Sequence, residues 1–86
     1  MLQNYSFQEF TVVEVRAMIH GHLVMNQGAH AVRVVRMDLN NPRRRKDSTG
    51  RTYQTIKAAA IIDGVRRTFT AFWDCETGNI YNAATA

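Results

Sequence analysis

Tyr53-Gln54-Thr55-Ile56-Lys57-Ala58-Ala59-Ala60-Ile61-Ile62-Asp63-Gly64-Val65-Arg66-Arg67-Thr68-Phe69-Thr70-Ala71-Phe72-Trp73 sets one Asp-Gly pair between two runs of β-branched, aromatic and small apolar residues. Asp-Gly suits a two-residue type I′ turn, in which both central positions need positive φ and the twist matches that of the flanking strands. The pair predicts a hairpin of Tyr53 to Ile62 and Val65 to Trp73, with Ile62 opposite Val65. That register sorts the side chains. One face collects Ile56, Ala58, Ala60, Ile62, Val65, Phe69, Ala71 and Trp73, with Arg67 as an intruding cation. The other collects Thr55, Lys57, Ala59, Ile61, Arg66, Thr68, Thr70 and Phe72. The first is a core face for an amphipathic helix to cover. The second mixes hydroxyls, cations and an aromatic ring. A slip of one residue would exchange them.

Upstream, Thr11-Val12-Val13-Glu14 fits a capping box, in which the Thr hydroxyl takes a free backbone N–H and Glu14 reaches back to the cap residue. A helix from Val12 to about Asn26 would then end at Gly28, a residue suited to the left-handed C-terminal position. Phe10, before the cap, is placed to staple onto Val15. Val13 to His20 also alternates as a half-buried strand would, and Gly21 costs a helix about 1 kcal/mol relative to Ala. Cap, length and terminal glycine agree with one another and favour the helix over residues 12–26. Ala31 to Leu39 reads as a strand. Downstream, Asp74 to Gly78 reads as a turn, Asn79 to Asn82 as a short last strand, and residues 83–86 as a fraying tail. The expected fold is α+β: one N-terminal helix packed on a three- to four-stranded antiparallel meander. A long basic loop, residues 40–52, joins the first two strands, and residues 1–86 form a single small domain.

That loop holds the charge. Asn41-Pro42-Arg43-Arg44-Arg45-Lys46-Asp47-Ser48-Thr49-Gly50-Arg51 has five cations and one anion, and its net +4 equals the formal charge of the whole chain. The other cations (Arg16, Arg33, Arg36, Lys57, Arg66, Arg67) are matched in number by Glu9, Glu14, Asp38, Asp63, Asp74 and Glu76. A field concentrated in this way favours an anionic partner and speeds encounter with it. Guanidinium groups pair with phosphates bidentately and Lys adds point charge. Pro42 near the loop base fits a β-arm that lays basic residues in a groove and wedges an apolar group between bases. The bland account is a solvated loop that keeps the chain soluble. Pro42 to Lys46 also resembles a nuclear-localisation patch, and Arg45-Lys46-Asp47-Ser48 a basophilic kinase site.

Catalytic and metal chemistry find little to work with. Ser6 and Ser48 lack a nucleophile signature, no glycine-rich phosphate loop follows a strand, and the acids are scattered over element ends and turns. His20, His22 and His30 have no second cysteine or carboxylate at zinc-ligand spacing, so neither a metal nor a cofactor is expected. Cys75 sits between Asp74 and Glu76, whose charges disfavour its thiolate. As the single cysteine it excludes an internal disulfide. The first residues show no secretory pattern, and no apolar run approaches the ~20 residues of a membrane span. A reduced, cytoplasmic setting without membrane attachment is expected. Apolar content of 45% with 21% charge argues against wholesale disorder. A chain this size buries roughly 60–65% of its unfolded surface, so stability is marginal and a homodimer would add to it.

The reading that follows is a small non-enzymatic nucleic-acid-binding protein of the accessory or regulatory kind, its partner DNA or RNA. Arg43, Arg44, Arg45, Lys46 and Arg51 would contact phosphates, Lys57 and Arg66 would extend the footprint, and Phe72 would offer a stacking platform. The alternative is an interaction module or inhibitor that grips an acidic protein through the same loop or through Phe72 and Ile61.

Overall fold

Asp63 and Gly64 take φ of 50° and 84° in the computed structural model, which describes residues 4–85. Both values are positive, as the two-residue turn requires, and Ile62 pairs with Val65 across it. The hairpin register therefore stands as the sequence implies. A 3₁₀ turn (Phe7–Glu9) and helix α1 (Val12–Gln27) come first. Strands β1 (Val32–Asp38), β2 (Arg45–Lys46), β3 (Thr52–Ile62), β4 (Val65–Asp74) and β5 (Asn79–Thr85) follow. The antiparallel sheet runs in the order β1-β3-β4-β5, and β2 pairs with β3 beyond the end of β1.

Helix α1 begins at the expected capping box. Glu14 N–H donates to Thr11 Oγ1 (3.1 Å) and Thr11 N–H to Glu14 Oε1 (2.9 Å). It ends at Gly28, which is left-handed at φ 68°. Val15, Ile19 and Leu23, four residues apart, form its buried stripe. They meet Ile56, Ala58, Ala60, Phe69, Ala71 and Trp73 on the sheet, the face the register selects. The helix covers only part of that face: Ile62 is half-buried, and Val65 is 51% exposed where β4 runs past its last pairing with β5 at Phe69. Val65 is thus a correction to the expected core.

The chain before α1 closes the opposite end. Tyr5 N–H donates to Cys75 O (2.6 Å), and Trp73 Nε1–H donates to Tyr5 O (3.0 Å). Phe7 and Phe10 set their rings edge-on to Trp73, at centroid distances of 6.5 and 5.1 Å. The aromatic content of this half of the core is therefore shared between the N-terminal segment and β4.

Two expectations need correction. The tail does not fray from residue 83: β5 continues to Thr85, paired as far as Phe69 of β4. Ala83 is buried opposite Ala71, and Gln27 Nε2–H of α1 donates to Ala83 O (2.8 Å), which fixes that edge. Ala86 and residues 1–3 lie outside the described residues. The basic segment is not an unbroken loop either, because β2 interrupts it.

The turn aspartate has a second task that its Asp-Gly context conceals. Asp63 Oδ1 accepts from the backbone N–H of His30 (2.9 Å) and Ala31 (2.8 Å), which ties the hairpin to the α1–β1 connection. The Ala31 bond lowers the Asp63 carboxyl below the usual aspartate range; burial opposes it, and the His30 N–H bond and the His30 side chain add to the lowering. A carboxyl whose pKa is depressed in the folded state adds stability above its unfolded value, near pH 4, and loses it as pH falls through the folded value. Asp63→Asn retains a turn-forming residue but has no charge to titrate. Acid unfolding of the variant, followed by circular dichroism, should show a shallower fall in stability below about pH 4 than the parent. Identical acid profiles would exclude this role.

Candidate nucleic-acid interface

The basic segment folds as a small hairpin. Arg45 pairs with Tyr53 and Lys46 with Thr52, and the tip closes around Asp47. Asp47 Oδ1 accepts from Thr49 N–H (2.9 Å), Thr49 Oγ1–H (2.6 Å) and Arg51 N–H (3.0 Å). These bonds, that of the Thr49 hydroxyl foremost, hold its carboxyl below the usual aspartate range. The one acid of the segment is thereby turned onto its own backbone, while Arg43, Arg44, Arg45 and Lys46 stay exposed. Arg44 also lies beside the buried Cys75 thiol. Burial pushes that thiol up, Arg44 works in the opposite direction, and Asp74 and Glu76 reinforce the rise. A protonated, enclosed thiol is a poor nucleophile.

Gln54 anchors the base of the hairpin and had no place in the sequence argument. It sits in phase with Ile56 and Ala58 on the core face and is 1% exposed. Its Oε1 accepts from Phe7 N–H (3.1 Å), and its Nε2 donates to Ser6 Oγ (3.1 Å) and Pro42 O (2.6 Å). One buried carboxamide thus joins the N-terminal segment, β3 and the entry to the basic hairpin. Gln54→Leu would leave groups in this node without partners at a cost of about 2 kcal/mol. Its melting temperature should fall by roughly 10 °C, and a fall under about 2 °C would show that the node is dispensable.

The sheet face turned away from α1 carries one aromatic ring on each of three adjacent strands. Tyr53 (β3) lies 5.9 Å from Phe72 (β4), and Phe72 lies 6.2 Å from Tyr81 (β5), between ring centroids; the planes are tilted by 52° and 54°. All three rings are half-buried. Tyr81 meets Phe72 next to a register shift between Phe72 and Trp73 on the β4–β5 pair. The Arg51 guanidinium lies over the Tyr81 ring at 4.5 Å, and its Nε is 3.7 Å from Asp74 Oδ2. Burial pushes the Tyr81 phenol up, against the opposing charge of Arg51, so the phenol stays neutral at physiological pH.

The expected site residues divide by position. Arg45 stands across from Tyr53, Arg51 covers Tyr81, and Phe72 lies between those rings, so these converge. Lys57 is exposed opposite Thr70, one same-face step of about 7 Å from Phe72 along the sheet. It shares a shallow concavity with Arg36, Thr68 and Thr70. Arg66 does not join them: it pairs with Ile61 at the far end of β4, six residues or about 20 Å from Phe72. Ala59 is on this face but buried, a small side chain between its cross-strand neighbours Arg36 and Thr68. Sequence reasoning missed Tyr53, Tyr81 and Arg36. Tyr53 was within reach, since the Asp-Gly register puts it in phase with Thr55 and Phe72.

Among the described residues no cluster of His, Cys, Asp and Glu is arranged to hold a metal ion, and no helix is long and apolar enough to cross a membrane. No protein-family model, curated protein or solved structure matches this chain.

Proposed function

We propose that this protein binds nucleic acid without catalysing a reaction on it, and that the basic hairpin supplies most of the affinity through phosphate contacts. The observation that carries this reading is the disposition of charge at residues 43–51. Four exposed cations are presented together while Asp47, the acid among them, is engaged by its own turn. Asp47 stays ionised, so the segment keeps a net +4, and among the described residues the one ion pair is that of Arg51 with Asp74, which leaves the four exposed cations without a paired carboxylate. A two-residue stem and the Gln54 anchor hold the hairpin at one end of the sheet, which lowers the entropy lost when the cations line up on a backbone. Arg51 and Lys57 continue the positive surface onto the open sheet face.

Phosphate contacts give affinity and register but carry no base sequence. An accessory or regulatory protein of low sequence selectivity fits such a surface. The test is a binding titration against a random duplex and a random single strand over a range of salt. If Arg43, Arg44, Arg45, Lys46 and Arg51 each neutralise a phosphate, log Kobs should fall against log salt with slope about −4.5 on duplex DNA and roughly −3.5 on a single strand. Absence of binding to both at low salt would exclude the reading.

A further inference from the structure

We infer that the row Tyr53–Phe72–Tyr81 is a base-stacking platform, and that the strand it accepts is single-stranded nucleic acid with unpaired bases. This deepens the phosphate-binding reading and rests on it.

The geometry favours this occupant on three grounds. The rings belong to three neighbouring strands and follow one another at 5.9 and 6.2 Å, a path across the sheet and not a cluster sunk in the core. Every base has a π-face, so a row of rings serves successive bases whatever their identity. Bases locked in a duplex turn only their edges outward and cannot lie on it. Next, the cations stand where a backbone would run. Arg45 is opposite Tyr53 at one flank, Arg51 covers Tyr81 at the other, and Lys57 and Arg36 share the adjoining concavity with Thr68 and Thr70. Finally, the rings are half-buried, and Tyr81 is already covered by a guanidinium. A base sliding onto Tyr81 would meet Arg51, whose planar group stacks on a base as readily as on a phenol. An acidic peptide would use the same cations but has no planar groups to place on the row.

The probes are a fluorescein-labelled dT 12-mer, an rU 12-mer, a 12-mer of abasic phosphates and a random 12-bp duplex. The parent should bind the two single strands more tightly than the abasic chain of equal charge. Phe72→Leu and Tyr81→Leu should each weaken single-strand binding by roughly 5- to 150-fold, the range for one stacked base, and leave duplex binding and its salt slope unchanged. Phe72→Tyr should restore affinity. Ring proton resonances of Tyr53, Phe72 and Tyr81 in the parent should move on adding dT and stay in place on adding duplex, a readout that needs no variant. Binding of either the dT or the rU chain more tightly than the abasic chain supports stacking. Equal binding of the abasic and dT chains, or equal losses on duplex and single strand, would overturn the platform while the phosphate-binding reading stands. Failure of all four probes would remove both. Poly-glutamate bound as tightly as dT and dependent on Phe72 would replace the nucleic acid by an acidic protein.

Discussion

Trp73→Ala should cost about 3–5 kcal/mol of folding free energy, the range for truncating a large buried aromatic side chain. Trp73 is fully buried and pairs across the sheet with Gln54 on one side and Ile80 on the other. Its indole touches Phe7 and Phe10 edge-on, and its Nε1–H is bonded to Tyr5 O. Removing it therefore opens a cavity beneath the N-terminal segment and removes the indole N–H bond to Tyr5 O at the same time. A domain of this length has only about 5–13 kcal/mol in total, so the variant should be close to unfolding at 37 °C. Its melting temperature should drop by roughly 15–30 °C when followed by far-UV circular dichroism, which does not depend on the lost indole. Trp73→Phe keeps most of the apolar volume and should cost far less. A loss under about 1.5 kcal/mol for the alanine variant would mean that the N-terminal segment is not packed on β4 as described.

The contrast between the two ends of the sheet explains how much of the fold was legible. At the Asp-Gly end the interactions that set the register are local, although Asp63 also reaches His30 and Ala31. The turn chemistry of Asp63 and Gly64 sets the register, and the register sets which side chains of β3 and β4 face α1. The cap at Thr11 and the stop at Gly28 are local signals in the same sense. At the other end the interactions span the chain. Tyr5 bonds to Cys75 and Trp73, and Gln54 to Ser6, Phe7 and Pro42. No periodicity in the sequence encodes such pairs. The same distinction governs β5: its terminal residues are small and polar enough to suggest fraying, and they are ordered by a helix that ends more than fifty residues earlier in the chain.

The candidate site divides along the same line. The hairpin cations are visible as a run of like charge, and Phe72 emerges from the register. The row of rings does not, because Tyr81 reaches Phe72 only on a strand whose pairing with β4 shifts register beside them. Arg66 illustrates the converse error. It belongs to the open face by alternation, as expected, but alternation gives the side of a sheet and not the position along it. A ten-residue strand carries side chains of one face as much as about 27 Å apart, so sharing a face is weak evidence for sharing a ligand.

Changing Arg43, Arg44 and Arg45 together to alanine should remove more binding than any other change on the surface. With five phosphate contacts the salt slope on duplex DNA is about −4.5, and the two remaining contacts would leave about −1.8, so the slope should flatten by about 2–3 units. Lines of those slopes that converge near 1 M salt are separated by a factor on the order of 10²–10³ at 0.1 M. The fold should survive, because all three residues are exposed and only Arg45 lies in a strand, where it pairs through its backbone. A melting temperature within about 2 °C of the parent would confirm that affinity and not folding was lost. Arg66→Ala is the matched control on the same sheet at the far end from the hairpin. It should change the slope by less than about one unit. If the triple variant and Arg66→Ala flatten the slope alike, the charge acts as a diffuse field over the whole molecule and the hairpin is not the site. If the triple variant binds as the parent does, phosphate recognition by residues 43–51 is wrong. The loss should be as large for a scrambled duplex as for any chosen sequence, since contacts to the backbone do not distinguish bases.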